Sequence, residues 1–133
     1  MHQEHLSLSL GVETMDASHR KLCTALEHAG RAADADFADA YTALVQAVER
    51  DFREEEVMME AMAFPALHAH LEQHARVLAG LHHADPFVQD GDPALGREAL
   101  ALLPQWFALH HASMDRQLAD AVLDGPRLAE RQD

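Results

Sequence analysis

The chain has 133 residues, enough for one domain that buries about two-thirds of the surface of its unfolded chain. It has 23 acidic and 10 basic residues and a formal net charge of -13. This balance argues against nucleic acids and anionic membrane surfaces as partners, because both require clustered Lys and Arg. The residues are 48% hydrophobic, with only six Gly and five Pro, a composition that favours a helical protein.

The composition also indicates a cellular compartment. Cys23 is the only cysteine, so an internal disulfide is excluded. The N-terminal segment MHQEHLSLSLGVETMD has neither the basic region nor the long apolar stretch of a secretory signal. No segment approaches the roughly 20 apolar residues of a membrane span. We therefore expect a cytoplasmic protein.

The first predicted helix covers residues 16–30, with Asp16 as its cap and with Leu22 and Leu26 on its inner face. Residues 1–15 are expected to form an extended N-terminal arm.

The second predicted helix begins near Asp34 or Asp36 and runs to about Met62. It ends there because Phe64 precedes Pro65, and a residue before proline avoids the helical region. Its inward positions recur at steps of three and four, which is the pattern of a helix face that packs on a core. These positions are Phe37, Tyr41, Leu44, Val48, 51, 55, Met59 and Met62.

The third and fourth helices also have inward positions that recur at steps of three and four residues. The inward positions of the third are Leu67, 70, 74, Val77 and Leu81, and those of the fourth are Ala99, Leu102, Trp106, 110 and Leu118. The segment ADPFVQDGD between them is interpreted as the one long loop. Asp92 and Pro93 are expected to open the fourth helix and Pro104 to kink it.

Short connections between long amphipathic helices imply antiparallel neighbours. The predicted fold is therefore all-α, an up-down-up-down four-helix bundle that forms a single domain over residues 1–133. The bundle itself covers residues 16–123, and residues 124–133 form a C-terminal tail.

The apolar stripes of all four helices are interrupted by polar residues. A half-buried polar residue is ordinary when it occurs alone. Burying six unpaired polar groups, however, costs about 6–18 kcal/mol, which is as much as the whole stability of a domain, about 5–15 kcal/mol. A metal centre would satisfy all of them together. They are imidazoles and carboxylates, a mixture of ligands that suits iron, manganese or zinc. The six residues are His19, Asp51, Glu55, His70, His74 and His110.

Asp115 is a further candidate ligand that periodicity alone does not select. It follows His110 by five residues, which places it about 140° away on a regular helix. A local π-bulge between residues 110 and 115 would bring the two side chains together, and such bulges are frequent at functional sites.

Three segments resemble the bacterial hemerythrins over nearly the whole chain. GVETMDASHRKL resembles the entry to the first helix of that family, with His19 at a ligand position, and WFALHHASMD is similar to its fourth-helix motif. The segment DFREEEVMMEAMAFPALHAHLEQH resembles the second and third helices. The residues at matching spacings in that segment are Phe52, Glu55, Met59, Pro65, His70, Glu72 and His74.

The resemblance implies a non-haem site of two irons, joined by an oxo or hydroxo bridge, that binds dioxygen and reduces it to peroxide. Glu55 and Asp115 would bridge the irons. His19 and a histidine at position 51 would hold the iron that keeps an open position. The other iron would be held by His70, His74 and His110.

This chain has Asp51 where the family has that histidine. A directly bound aspartate would give the site a third carboxylate, and hard anionic oxygen favours the higher oxidation state. We therefore expect altered ligation, a lower reduction potential and poorer reversible oxygen binding.

His111 also departs from the family, which usually has an aliphatic residue there. It is either a solvated neighbour of a ligand, or a polar group near the open iron position that donates a proton or replaces the missing nitrogen. Glu54 and Glu56 are expected to be mainly solvated, with Glu54 as a weaker candidate for approaching the metal, and Cys23 to be a small core residue.

Three functions remain open at this point. The first is oxygen binding for transport, storage or sensing, where sensing would need a separate signalling or redox partner. The second is an oxidase or peroxidase acting on dioxygen or peroxide, with His111 as the candidate catalytic residue. The third is a metal site without oxygen chemistry, in which manganese or zinc replaces iron.

Overall fold

The computed structural model describes residues 10–132, with side chains through residue 124. This part of the chain is helical and contains no strand, and the all-α bundle predicted from the sequence is confirmed. None of the described helices combines the length and apolarity that crossing a membrane requires. The helices are α1 (Glu13–Arg31), α2 (Asp34–Ala61), α3 (Leu67–Gln89), α4 (Ala94–His110), a π-helical turn (His111–Asp115) and α5 (Arg116–Gln132).

Consecutive helices lie side by side and run in opposite directions. The hydroxyl of Tyr41 in α2 donates to the carbonyl oxygen of Leu81 in α3 at 2.7 Å. Further along α2, Oε1 of Glu55 lies 3.2 Å from Nε2 of His70, which precedes Leu81 in α3. A rising residue number in α2 thus corresponds to a falling number in α3, as expected of antiparallel neighbours joined by short loops.

The start of α1 differs from the prediction. The helix begins at Glu13, so three residues assigned to the N-terminal arm are helical, whereas residues 1–9 of that arm lie outside the described part. Asp16 is not the cap. It is buried in the first turn, and its carboxylate accepts hydrogen bonds from the backbone N–H groups of Leu10 and Gly11.

The long loop predicted between the third and fourth helices is wrong, because α3 continues to Gln89 with Pro86 inside it. Ala84 and Val88 are buried and extend the inner face of α3 beyond Leu81. Pro86 has no backbone N–H to donate within the helix, and the packing of these buried residues offsets that loss. At the other end of the bundle, α5 runs through the segment assigned to a C-terminal tail, as far as Gln132.

The face of α4 that packs on the core also differs from the prediction. Leu102 is 72% exposed, whereas Leu103 and Phe107 are buried. Ala99 and Trp106 are half-buried at the edge of the core. The sequence of α4 is apolar on two adjacent faces, so a period of three to four residues fits either of them.

Two apolar clusters fill the bundle, one toward each end. The larger contains residues of α1, α2, α3 and α4, among them Leu22, Phe37, Tyr41, Leu81 and Phe107. The smaller contains Leu10, Val12, Met15, Met59, Phe64, Leu118 and Ala119. Along each helix the interrupting polar residues fall between these two clusters, except Asp51, which lies between Val48 and Phe52 of the larger one. The bundle therefore has a buried polar layer enclosed by apolar side chains on both sides.

Candidate metal centre

Four side chains from three helices converge in this polar layer, and we call them cluster A. They are Glu55, His70, His74 and His110. Each of them offers one ligand atom within 4.8 Å of the others, and all four residues are buried. Nε2 of His70 lies 3.2 Å from Oε1 of Glu55 and 3.1 Å from Nε2 of His110.

A second group, cluster B, consists of His19, His111 and Asp115, whose ligand atoms also lie within 4.8 Å of one another. The imidazole rings of His19 and His111 are stacked, with centroids 3.9 Å apart. Nδ1 of His111 is 3.4 Å from Oδ2 of Asp115. His111 is only 3% exposed, so the interpretation of this residue as a solvated neighbour is wrong.

Asp115 connects the two clusters. Its Oδ1 lies 3.0 Å from Nε2 of His110 and 3.2 Å from Nε2 of His70, whereas its Oδ2 faces His111. Residues His111–Asp115 form a π-helical turn, which confirms the bulge expected from the five-residue spacing. The i→i+5 bonding of this turn returns Asp115 to the side of the helix that His110 occupies.

Asp51 is buried, at 2% exposure, one helical turn before Glu55. Among the described residues it is part of neither cluster. Burial raises the pKa of its carboxyl well above the ordinary value, and the nearby carboxylates of Glu55 and Asp115 raise it further. Asp51 therefore lies beside the two clusters, and its carboxyl ionises less readily there than in water.

The ionisation of cluster A shows that it needs a positive charge. Burial raises the pKa of Glu55 to about 8. Burial lowers the pKa of His70, but hydrogen bonds with Asp115 and Glu55 outweigh this and raise it to about 9. Burial opposes the ionisation of Asp115, yet the histidines around it hold its pKa far below the usual range. In the metal-free protein a protonated His70 thus supplies the positive charge beside the ionised Asp115.

The imidazoles of His19, His74 and His110 are neutral. Burial lowers the pKa of His19 to about 4, with His111 adding to the shift. Burial also lowers the pKa of His74 and of His110. Neutral imidazole is the form that binds metal ions.

Two acceptors behind the imidazoles fix their tautomers. Nδ1 of His74 lies 2.9 Å from Oε2 of Glu56, and Nδ1 of His110 lies 3.0 Å from Oε1 of Gln73. Because both partner atoms are acceptors, each Nδ1 carries the proton and each Nε2 keeps its lone pair. Metal-ligating histidines are commonly oriented in this way. Glu56 is therefore not a purely solvated charge.

These tautomers allow a test of whether the residues fit a metal ion. Nε2 of His74 is 3.1 Å from Oε1 of Glu55 but forms no hydrogen bond within the described part of the chain. Its lone pair, that of His110 and the carboxylate oxygens all face the same point, where the protonated His70 is the positive charge among them in the absence of a bound cation. Imidazole and carboxylate ligands of this kind suit divalent iron, manganese or zinc. The residues present fit a cation.

Aromatic rings hold the two imidazoles in place from the outside. The ring of Phe52 stacks on His74 with centroids 3.8 Å apart, and Trp106 stacks on His110 at 4.4 Å. These flat contacts restrict rotation of the imidazoles and shield them from water.

The neighbouring residues have structural roles. The Ser18 hydroxyl donates to the carboxylate of Glu54, which ties α1 to α2. Burial raises the pKa of the Cys23 thiol to about 11, with Glu27 and Asp51 adding to the effect. A thiol that stays protonated at neutral pH is a poor nucleophile, so Cys23 is the small core residue expected from the sequence. His68 is exposed, two residues from the buried His70.

Sequence reasoning missed the partner residue Gln73. Gln73 is an exposed polar residue of α3. Its contact with α4 can be recognised only once the two helices are placed side by side. The one available signal was its place three residues after His70, which puts it on a neighbouring face of the same helix.

Comparison with known proteins identifies the relatives of this chain. Residues 10–122 match the family model described as the hemerythrin HHE cation binding domain. A bacteriohemerythrin from Ralstonia nicotianae (strain ATCC BAA-1114 / GMI1000) is 42% identical over 112 residues, which cover 84% of this chain and 82% of that protein. No solved structure matches the chain.

Proposed function

The chain belongs to the hemerythrin family, and from this premise we propose that it binds dioxygen at a non-haem site of two iron ions. The observation that carries the proposal is the convergence of imidazoles and carboxylates in the buried polar layer, with the Nε2 atoms of His74 and His110 directed into it as acceptors. Oxygen transport, storage or sensing all require this chemistry.

The residues divide into two sets around the irons. His70, His74 and His110 would hold one ion, and His19 belongs to the other. Glu55 and Asp115 would bridge them, and the contacts of the two Asp115 oxygens with different clusters support that role. When bound, two ferrous ions supply the electrons that reversible dioxygen binding requires.

The protein residues control water and charge around this site. The apolar clusters on both sides of the polar layer exclude bulk water, and exclusion of water strengthens electrostatic interactions within the layer. Glu55 is close enough to Asp51 to raise the pKa of the Asp51 carboxyl. Bound cations would favour its ionised form, whether it reaches the metal directly or through water. We infer that this added negative charge lowers the reduction potential of the irons relative to a site with histidine at position 51.

A second candidate function is an oxidase or peroxidase. The buried position of His111 beside Asp115 favours it, because an imidazole in the polar layer can deliver or accept a proton.

Anaerobic loading with ferrous ions tests the proposal. We expect two irons per chain and a rise in melting temperature, because a ligand at 100 times its Kd stabilises the folded state by about 2.7 kcal/mol. Exposure to air should change the visible absorbance, and removal of oxygen should reverse the change. His70→Ala should abolish the uptake at cluster A, whereas the matched control His68→Ala should not.

Two other outcomes would argue against oxygen binding at a di-iron site. A protein that binds neither ferrous nor manganous ions and melts at an unchanged temperature contradicts the proposal. Iron loading followed by steady consumption of peroxide with a reducing substrate favours the enzyme.

A further inference from the structure

We propose that His111 is a metal ligand, and that together with His19 and Oδ2 of Asp115 it forms the second metal position of the bundle. The imidazole nitrogen expected at residue 51 is then supplied by residue 111. This inference rests on the proposed function, since it assigns the ligands of one of the two ions.

The geometry of cluster B carries the proposal. The ligand atoms of His19, His111 and Asp115 lie within 4.8 Å of one another, and all three residues are buried. His111 comes from the π-helical turn and His19 from the opposing face of α1, so two different helices approach the same point. Two imidazoles and one carboxylate oxygen are a common protein ligand set for iron and zinc.

The orientation of Asp115 separates the two metal positions. Oδ1 is directed at the imidazoles of cluster A, at 3.0 and 3.2 Å. Oδ2 is directed at Nδ1 of His111, at 3.4 Å. A carboxylate that offers one oxygen to each of two ligand groups has the arrangement of a bridging ligand. His111 is therefore on the side of Asp115 that faces the second ion.

Backbone geometry explains why two consecutive residues serve different clusters. Neighbouring residues of a helix point about 100° apart, so His110 faces α3 while His111 faces α1. The ring contacts agree with this, since His110 lies against His70 and His111 stacks on His19. Asp51, by contrast, is part of neither cluster among the described residues.

Metal titration of the complete chain distinguishes ligation from packing. We expect the wild type to bind two Zn²⁺ or Fe²⁺ per chain. His111→Leu should keep cluster A and bind the second ion at least about 100-fold more weakly, the upper range seen when support for a metal site is lost. His68→Leu, an exposed histidine changed in the same way, is the matched control and should bind both ions with wild-type affinity.

A compensating variant makes the test sharper. Asp51→His combined with His111→Leu should recover two ions per chain, because it restores an imidazole to the second position from α2 instead of the π-helical turn. His111→Gln keeps a polar group of similar size near Asp115 but removes the imidazole. It should lose the second ion as His111→Leu does, and it serves as the folded variant if the leucine form does not fold by circular dichroism.

A zinc-loaded crystal structure gives a readout independent of affinity. A nitrogen of His111 at about 2.0–2.1 Å from the second ion is expected of a ligand. Two ions of unchanged affinity in both His111→Leu and His111→Gln would overturn the inference, and so would a wild type that binds only one. Failure of the wild type to bind any metal would instead overturn the proposed function itself.

Discussion

Gln73 in α3 and His110 in α4 are joined by a hydrogen bond, with Nδ1 of the imidazole 3.0 Å from Oε1 of the amide. The amide oxygen can only accept, so the imidazole proton is held on Nδ1. The lone pair of Nε2 is consequently directed at Asp115 and the centre of cluster A.

Replacing Gln73 by Leu should therefore weaken metal binding without removing a ligand. We expect the affinity of cluster A to fall by about 10- to 100-fold, as is typical when the partner of a metal-ligating histidine is lost. Isothermal titration with Zn²⁺ measures the change. Gln105→Leu, at an exposed position of α4, is the control, and an equal loss in both variants would contradict this role of Gln73.

Metal affinity should rise with pH between about 6.5 and 8.5. A bound cation must displace the protons of Glu55 and His70, whose pKa values are raised to about 8 and about 9. Each displaced proton makes the apparent affinity about tenfold higher per pH unit below that pKa. The histidines with lowered pKa values are already neutral in this range and add no dependence.

Proton release provides the measurement for that pH dependence. Titration with metal in weakly buffered solution at pH 7 should liberate protons, and Glu55→Gln should liberate fewer. An affinity that stays constant over this pH range would show that the metal-free cluster is not protonated.

Gly96 marks a close approach of α4 to α2 and α3. A Cβ at this position would lie 2.7 Å from Cγ2 of Val88 and 2.8 Å from Cε2 of Phe37. Overpacking of this kind costs about 1–3 kcal/mol, more than the helix propensity of about 1 kcal/mol that alanine contributes. We expect Gly96→Ala to lower the free energy of unfolding by about 1 kcal/mol.

Gly80→Ala is the matched variant for that measurement. Gly80 is also helical, but a Cβ there would meet nothing within 4 Å. Urea denaturation should show it to be more stable than the wild type by about 0.5–1 kcal/mol. If the two alanine variants changed stability in the same direction, steric crowding at Gly96 would not be the cause.

Tyr41 should contribute stability that depends on alkaline pH. Its hydroxyl donates to the carbonyl of Leu81, and burial, with help from Asp85, raises its pKa to about 12. A pKa raised above the unfolded value of about 10 stabilises the folded state fully below pH 10. This contribution is lost as the pH rises toward 12.

Tyr41→Phe tests that contribution at both ends of the pH range. At pH 7 the variant should lose about 1 kcal/mol from the missing hydrogen bond. Between pH 10 and 12 the difference from the wild type should shrink, because the wild type alone then carries the cost of an ionised buried phenol. A difference that grew with pH would contradict the assignment.

The bundle itself could be predicted from the sequence because the inward stripe of α2 is long and unambiguous. The face of α4 could not, since Leu102 and Leu103 are both apolar and only the position of the neighbouring helices decides which is buried. The end of α3 could not be predicted, because the segment assigned to a loop contains Pro86 yet continues the helix. The buried Ala84 and Val88 on either side of Pro86 continue the packed face, and packing outweighed the local preference.

The residues of the candidate site also divide into those that the sequence reveals and those that only the packing of the helices reveals. Side chains that interrupt an apolar stripe, such as His70 and His74, can be recognised from the sequence alone, because they occupy positions where the helical period predicts an apolar residue. Gln73 is not an exception to any period, and its role arises only from a contact between helices. The burial of His111 could not be predicted from the helical period, because the π-helical turn alters that period. The turn itself was only a hypothesis from the sequence.

The π-helical turn also determines which distances within the polar layer are fixed. His110, His111 and Asp115 belong to a single stretch of backbone, so the interval between the two clusters is set by bonded geometry. The contacts to α1 and α3, in contrast, are between separate helices that move relative to one another. Relative motion of the helices therefore changes the distances from these three side chains to α1 and α3, but not their spacing along the backbone.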